Sequence, residues 1–274
     1  MVLYSKKNMK CLVIGDLHCR EIWGDIVDKE GDTCDKIIFL GDYTCPRDVK
    51  MKDPTDACGF LYEVLDYKEV NPDKVVLLRG NHDLSSLGYC WAECWPKDHP
   101  KVEAYWQTYD IKEWFLRNSQ WVYIIPGTNI VCSHAGISED FLKCCANILY
   151  SDSIPTNKLE IISEINRLPP SELFGFTPCK ISDQSGESPT QPCTWIRPNA
   201  LLHYGVKGVT HVVGHTSTNS ICNLKDVLIQ SRINNGIDAR EEVVKKYCDI
   251  WCCDNLSNGE YLIIEDGEFK PCKL

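Results

Sequence analysis

The chain has 274 residues, of which 43% are hydrophobic and 25% charged; 29 basic and 39 acidic side chains give a formal charge of -10. This composition is typical of a folded globular protein and excludes global disorder, a collagen or coiled-coil chain and a minimal disulfide knot. The acidic balance argues against non-specific nucleic-acid binding, which needs a surface of Lys and Arg, and we expect one domain over residues 1–274.

The apolar runs and the cysteines predict the cellular compartment of the protein. Apolar runs end after four or five residues, whereas a membrane helix needs about 20. No apolar segment of a signal peptide follows the first lysines. The 17 cysteines show no C-x-x-C spacing of a zinc site. We therefore expect a cytoplasmic protein with reduced thiols and no membrane partner, not a secreted disulfide scaffold.

Short apolar runs alternate with helical patterns in the first part of the chain. Residues 11–14, 37–40 and 75–78 are predicted to be buried strands, and each run is followed by Gly-Asp or Arg-Gly-Asn. Helical patterns cover residues 21–29 and 55–67. This β-α-β-α-β order predicts a parallel sheet with crossover helices.

The later elements are predicted from weaker patterns. Residues 102–118 and 138–149 have helical spacing, and residues 121–125 and 130–133 form a predicted strand pair around Pro126 and Gly127. Four further strands are predicted, with a hairpin-type turn at Asn258 and Gly259; they cover residues 209–213, 227–230, 247–251 and 261–264. They predict a second sheet that is more antiparallel than the first.

Five motifs place a polar residue near a glycine where a predicted strand ends. They are Gly15-Asp16-Leu17-His18, Gly41-Asp42, Gly80-Asn81-His82-Asp83, His134-Ala135-Gly136 and Gly214-His215-Thr216. Glycine lets the backbone turn sharply, and carboxylate and imidazole groups bind divalent transition metals. Each motif alone also fits a turn or a core histidine, but their conjunction favours a metal site. Asp42 is a candidate for the carboxylate that two neighbouring ions would share.

In this order the motifs resemble the signature of the calcineurin-like metallophosphoesterase superfamily, over residues 12–216. Residues 77–82 and 131–137 resemble its phosphoprotein phosphatase branch. Trp195-Ile196-Arg197-Pro198, His-Ala-Gly and Gly-His-Thr are similar to small bacterial and phage members, which include serine/threonine phosphatases and diadenosine tetraphosphate hydrolases. The resemblance implies an α/β fold in which a two-sheet β-sandwich is flanked by helices, in four layers.

The resemblance also implies a dinuclear metal site and its chemistry. The ligands would be Asp16 and His18 on one ion, Asn81, His134 and His215 on the other, and Asp42 on both. Manganese is expected, with iron or zinc as alternatives. A hydroxide between the ions would attack phosphorus, and His82 would protonate the leaving oxygen. The phosphate-binding candidates are Arg79, Arg197 and Arg47, because arginine supplies paired donors.

One loop departs from the pattern of the phosphatase branch. There the bridging aspartate is followed by a second aspartate, which orients the acid histidine, and by an arginine. Those two positions are Cys45 and Pro46 in this chain. Arg47 and Asp48 follow and are expected to substitute for the pair; otherwise Asp83 or Asp48 must hold the ring of the acid histidine.

The substrate is less defined than the reaction. We expect phosphate monoester hydrolysis on serine or threonine of a protein, with a dinucleoside polyphosphate hydrolase as the alternative. A metal-binding scaffold without catalysis is a third hypothesis, motivated by Cys45 and Pro46. A nuclease is disfavoured because Thr216 and Ser217 follow His215. The aromatic segment of residues 89–114, which includes Trp91, Trp95, Tyr105, Trp106 and Trp114, is either core packing or a stacking wall for a nucleobase.

Overall fold

The computed structural model describes residues 9–51, 53, 55–89, 104–106, 110–171, 174, 185–240 and 244–274. The strands are β1 (Lys10–Ile14), β2 (Lys36–Phe39), β3 (Val75–Leu78), β4 (Ser119–Gln120), β5 (Val122–Ile124), β6 (Ile130–Ser133), β7 (Thr210–Ser217), β8 (Cys222–Asn223), β9 (Asp249–Asp254), β10 (Glu260–Glu265) and β11 (Glu268–Lys273). The helices are α1 (Ile22–Glu30), α2 (Asp56–Val70), α3 (Asn81–Ser86), α4 (Ile111–Asn118), α5 (Glu139–Leu149), α6 (Lys158–Glu164), α7 (Pro198–Tyr204) and α8 (Leu224–Asn234). None of the helices in these ranges has the length and apolar character needed to cross a bilayer.

The first sheet has the order β11-β10-β1-β2-β3-β4. Strands β1 to β4 are parallel, and α1 and α2 connect the first three, as the β-α-β-α-β pattern predicts. Strand β10 returns antiparallel to β1, with Cys11 opposite Ile264. The parallel strands therefore end at one edge of the sheet, where the glycine motifs follow.

The second sheet has the order β5-β6-β7-β9-β8. Its centre is parallel and only its edge pairs are antiparallel, so the expected antiparallel character applies to the edges alone. The predicted strand at residues 227–230 is wrong, because these residues lie within α8. The side chain of Asn223 caps that helix by accepting from Lys225 N and Asp226 N. A short apolar run cannot separate strand from helix by periodicity.

The turn at Gly259 connects two sheets and is not a hairpin. Strand β9 before it belongs to the second sheet and β10 after it to the first. The hairpin is β10–β11, where Asp266 and Gly267 have φ values of 54° and 83°. These values are typical of the Asp-Gly turn that matches strand twist, a signal that the sequence prediction overlooked.

Alternate residues of β1 face two different apolar layers. Leu12 and Ile14 pack with residues of α1 and α2, whereas Cys11 and Val13 face the second sheet and pack with Cys132 of β6. The period of two places one side of the strand under helices and the other between the sheets. The two sheets flanked by helices confirm the predicted fold class.

The cysteines mostly act as small buried apolar residues. Burial raises the pKa of the Cys11 thiol to about 12, so this thiol is unreactive. Among the described cysteines Cys45 forms a disulfide, and the others do not. The expectation of reduced thiols throughout is therefore wrong at Cys45, which lies in the loop that departs from the family pattern.

Candidate metal centre and catalytic site

The motifs need glycine because, at the strand ends, the backbone of one loop lies against the carboxylates or backbone of another. A Cβ on Gly80 would lie 2.1 Å from Asp42 Oδ1, and one on Gly214 would lie 2.1 Å from Asp16 Oδ1. A Cβ on Gly15 would lie 2.2 Å from the Cys253 carbonyl oxygen. Since no side chain tolerates such distances, glycine permits the close approach of backbone to the carboxylates.

Two histidine rings meet at the amide oxygen of Asn81. His134 Nε2 and His215 Nδ1 each lie 2.9 Å from Asn81 Oδ1, and His134 Nε2 lies 3.4 Å from Asp42 Oδ2. Ligand atoms of Asp42, His134 and His215 all lie within 4.8 Å of one another. This arrangement brings together the four side chains predicted to hold one ion.

Backbone carbonyls orient the histidine rings of this group. His134 Nδ1 donates to the Leu40 carbonyl at 2.8 Å, and His215 Nε2 donates to the Trp195 carbonyl at 3.1 Å. Because a carbonyl only accepts, each ring carries a proton on the outer nitrogen and directs its other nitrogen to the cluster. This is the tautomer that a metal-binding histidine needs.

A second group forms around His18. Its Nδ1 donates to the Cys45 carbonyl at 2.7 Å, while its Nε2 lies 3.8 Å from Asp16 Oδ2 and 3.7 Å from Asp42 Oδ2. His18 Nε2 and Asp42 Oδ2 are buried and have no hydrogen-bond partner among the described residues. A buried orphan acceptor beside a carboxylate fits a cation ligand, since buried polar atoms otherwise find partners.

The charges of the cluster favour a cation at its centre. Burial would lower the pKa of His134, but Asp42 and Asp16 outweigh it and raise that pKa to about 10. Burial lowers the pKa of His18 to about 3, so its ring is neutral and available as a ligand. The donor set of carboxylates, imidazoles and one amide suits Mn, Fe or Zn, and these residues fit two divalent ions.

Backbone strain is concentrated in the same residues. His18, Asp42 and His215 have φ values of 45°, 52° and 63°, in the left-handed region. For non-glycine residues this conformation costs free energy and persists only where the surroundings enforce it. The surrounding structure therefore holds these loops in a strained backbone conformation that directs the three side chains into the cluster.

Asp83 holds the loops together through backbone N–H groups. Its carboxylate accepts from the backbone N–H groups of Asp42, Tyr43 and Gly80 at 2.9, 2.9 and 2.8 Å. These bonds join the loop after β2 to the loop after β3. Burial raises the pKa of Asp83 to about 7, and Asp42 adds to this effect. Asp83 therefore supports the ligand loops, and its part in orienting the acid histidine stays a prediction.

His82 lies at the edge of the cluster. Its Nε2 is 4.0 Å from Asp42 Oδ2 and 3.4 Å from Arg47 Nη2. Burial lowers the pKa of His82, although Asp42 raises it. A guanidinium so close to Nε2 would repel a cation bound there. His82 also belongs to a group of potential ligand atoms with His18 and Asp42, all within 4.8 Å of one another, so its role as the proton donor stays a prediction.

The structure separates the three predicted arginines. Arg197 lies at the cluster, where its Nη1 donates to Thr216 Oγ1 at 3.0 Å. Arg47 lies beside His82. Arg79 lies elsewhere: it is buried, donates to Ser119 Oγ at 2.9 Å and to the Leu116 carbonyl at 2.7 Å. These bonds occupy its guanidinium in the first sheet, which corrects its assignment to phosphate.

Asp48 also lies outside the cluster. Its side chain is 79% exposed and pairs with Arg20 at 3.2 Å. An exposed carboxylate on a different arginine cannot orient His82, so the predicted catalytic role of Asp48 is not supported by its position.

Asp254 is a buried carboxylate of the site that the sequence prediction missed. It ends β9, is 4% exposed, accepts from Ser217 Oγ at 2.7 Å and lies 3.9 Å from Arg47 Nη1. Arg47 thus lies between Asp254 and His82. The one available signal was its place after an apolar run, because no glycine precedes Asp254 as one precedes Asp16 and Asp42.

We expect the Asp254–Arg47 pair to act as a unit. Arg47→Ala is expected to lower kcat/KM for a phosphate monoester about tenfold, mainly through KM, because a phosphate donor is lost. Asp254→Asn is expected to lower kcat/KM several-fold, and the kcat/KM of the double variant should lie within about twofold of that of Arg47→Ala. Steady-state kinetics of the three variants tests this, and additive losses would show that the two residues act separately.

The crowding at Gly80 gives a matched pair of stability predictions. Gly80→Ala is expected to lower the free energy of unfolding by about 1–3 kcal/mol, because its Cβ displaces Asp42. Gly59 lies in α2, where an added Cβ would meet nothing within 4 Å beyond the backbone of its own helix. Gly59→Ala is therefore expected to raise the stability by about 0.5–1 kcal/mol. Urea unfolding measures both, and equal shifts would contradict the crowding argument.

The described part of the aromatic segment belongs to the core. Trp106 is buried beside Phe115, with ring centroids 6.2 Å apart, and Trp114 contacts Tyr62 at 5.1 Å. Tyr105 packs against the same core. Trp91 and Trp95 lie outside the described residues. The described aromatics of this segment thus agree with core packing, and none of them forms a wall of the metal site.

Solved structures that are similar to this chain include several phosphatases. A cold-active protein-tyrosine phosphatase from Shewanella sp. is 17% identical, with a TM-score of 0.55 over 96% of this chain and 77% of that one. A second cold-active protein tyrosine phosphatase structure is 15% identical, with a TM-score of 0.51 over 96% and 78%. A metallophosphoesterase from Sphaerobacter thermophilus is 15% identical, with a TM-score of 0.43 over 97% and 88%.

Sequence comparison identifies the family. No curated protein matches the chain. The calcineurin-like phosphoesterase family matches residues 9–218, a range that includes all five strand-end motifs. Because this match covers most of the chain, the chain belongs to the calcineurin-like phosphoesterase family and is a metal-dependent phosphoesterase.

Proposed function

We propose that the chain is a phosphatase of the phosphoprotein phosphatase branch that hydrolyses phosphoserine and phosphothreonine in proteins. The observation that carries this proposal is the grouping of His82, Arg47 and Arg197 at the edge of a cluster that shares Asp42. One proton donor and two cations match the needs of a single phosphate monoester.

The residues divide the reaction among them. Asp16, His18, Asp42, Asn81, His134 and His215 would hold two divalent ions, with manganese as the first candidate. When bound, these ions supply activation of water and neutralisation of phosphate charge. Arg47 and Arg197 bind phosphoryl oxygens, and His82 gives a proton to the leaving oxygen. Asp83 keeps the loops after β2 and β3 in place.

A protein substrate is favoured over a dinucleoside polyphosphate. The described aromatics of residues 104–106 and 110–114 pack in the core, so they supply no stacking surface for a nucleobase. The similar Shewanella structure is named a protein-tyrosine phosphatase. That name makes phosphotyrosine a necessary comparison for this chain.

A substrate panel tests the proposal under identical conditions with added Mn²⁺. Peptides carrying phosphoserine, phosphothreonine or phosphotyrosine are compared with diadenosine tetraphosphate and a cyclic nucleotide by release of products. We expect the first two peptides to have the highest kcat/KM. Faster turnover of diadenosine tetraphosphate than of every peptide would overturn the proposal, and no turnover of any substrate would favour a scaffold.

A further inference from the structure

A groove opens beside Arg197, between α7 and α8. Its volume is ≈ 510 Å³. Its apolar wall is formed by Leu202, Leu224, Val227 and Leu228. Volumes of this size accommodate ligands or side chains of a partner.

The groove is continuous with the candidate catalytic site. Arg197 and Thr216 line its inner end, and Arg197 Nη1 lies 3.4 Å from the carbonyl oxygen of His215. An extended peptide advances about 3.3–3.6 Å per residue. Because Arg197 both lines the groove and is the proposed phosphate ligand, a side chain one or two residues from the phosphorylated residue would lie at the groove.

The chemistry of the lining selects among occupants. Among the described residues that line the groove, Arg197 is the one cation and no side chain is aromatic, while Glu187 adds a negative charge. Further phosphates of a dinucleotide would be repelled by the carboxylate, and a nucleobase would find no ring on which to stack. Leucine and valine side chains favour an aliphatic group.

The apolar wall of the groove is partly exposed: Leu224 and Leu228 pack against the core, and Val227 lies at the surface. No residue of α8 is buried, and Val227 is 50% exposed. An exposed apolar surface rimmed by polar groups is typical of a binding site. Here the polar rim includes Glu187, Asn199 and Thr218.

We infer that this groove binds an aliphatic side chain of the substrate, within two residues of the phosphorylated residue. The inference rests on the proposed protein phosphatase function and names the sequence preference of that site. The groove thus makes the enzyme select phosphopeptides with leucine, isoleucine or valine beside the phosphate over peptides with polar neighbours.

Two phosphopeptides that differ only beside the phosphoserine test the inference. One has leucine on both sides and the other has serine. We expect wild-type kcat/KM to be about tenfold higher for the leucine peptide. Val227→Asn should reduce this preference to about threefold, because a groove wall becomes polar, and should leave p-nitrophenyl phosphate turnover unchanged.

Ile233→Asn is the matched control on the same helix. Ile233 is 56% exposed and does not line the groove, so this variant should keep the full preference of the wild type. Equal kcat/KM for the two peptides in the wild type, or an unchanged preference in Val227→Asn, would overturn the groove assignment alone. Turnover of p-nitrophenyl phosphate without turnover of either peptide would overturn the proposed function, and the groove assignment with it.

Discussion

Replacing His82 with asparagine is expected to lower kcat for phosphoserine peptides by about 10²–10⁴-fold, the usual contribution of a positioned general acid. His82 lies at the edge of the cluster, with its Nε2 3.4 Å from Arg47. Asparagine keeps a polar side chain but cannot donate a proton to an alkoxide. Metal content should change little, because His82 is assigned as the acid; a drop in bound metal would instead place it with His18 and Asp42 as a ligand.

The dependence on the leaving group separates proton donation from a structural role. p-Nitrophenolate is a weak base and needs little protonation, so His82→Asn should lower p-nitrophenyl phosphate turnover much less than phosphoserine turnover. His203→Asn provides a control, since His203 is exposed and belongs to neither group of ligands. Equal losses with both substrates would show that His82 acts by holding the site together.

Asp42→Asn is expected to lower activity by about a thousandfold or more and to reduce bound metal, because it removes the anion that offsets the repulsion between two ions. Asp42 contacts both groups of ligands, with Oδ2 3.7 Å from His18 Nε2 and 3.4 Å from His134 Nε2. Asparagine tolerates the φ of 52° at this position. The loss therefore follows from charge and not from backbone strain.

Asp48→Asn is the matched control for this charge removal. Asp48 has a φ of 57° and its side chain is 79% exposed, outside the cluster. We expect its activity and metal content to equal those of the wild type. Elemental analysis after equilibration with Mn²⁺, together with kcat, measures both variants. Full metal occupancy in Asp42→Asn would contradict a shared ligand, and loss of metal in Asp48→Asn would place that residue in the site.

Several candidate ligand residues could be located from sequence because they follow a local signal. Asp16, Asp42 and Asn81 come directly after a glycine at the end of an apolar run. The structure shows why this signal is physical, since a Cβ on Gly80 would overlap the Asp42 carboxylate. The pairing of these residues with His134 across the two sheets was predicted only through the family resemblance.

Roles that depend on distant contacts were predicted less well. Arg79 and Arg47 both lie near a motif that ends a strand, yet Arg79 binds the carbonyl of Leu116 and Arg47 lies between His82 and Asp254. The two arginines differ in the hydrogen-bond and ion-pair partners that neighbouring elements place near them. No local pattern contains that information, because the partners are far away along the chain.

Net charge did not predict the character of the site. The chain has a formal charge of -10, yet the site depends on buried carboxylates that raise the pKa of His134 against the effect of burial and favour a cation. Net charge sums over the surface, whereas the affinity for metal and phosphate depends on a few groups that folding holds together.

The sequence by itself determined the alternation of strands and helices, the glycine-marked positions of the candidate ligands and, through the family resemblance, the reaction class. Tertiary structure alone decided that β10 joins the first sheet, that residues 227–230 form a helix and that Asp254 lies beside Arg47. The reason is the sequence separation over which each effect acts. Backbone crowding and apolar period act between near neighbours, whereas sheet membership and ion pairing depend on which surfaces packing brings together.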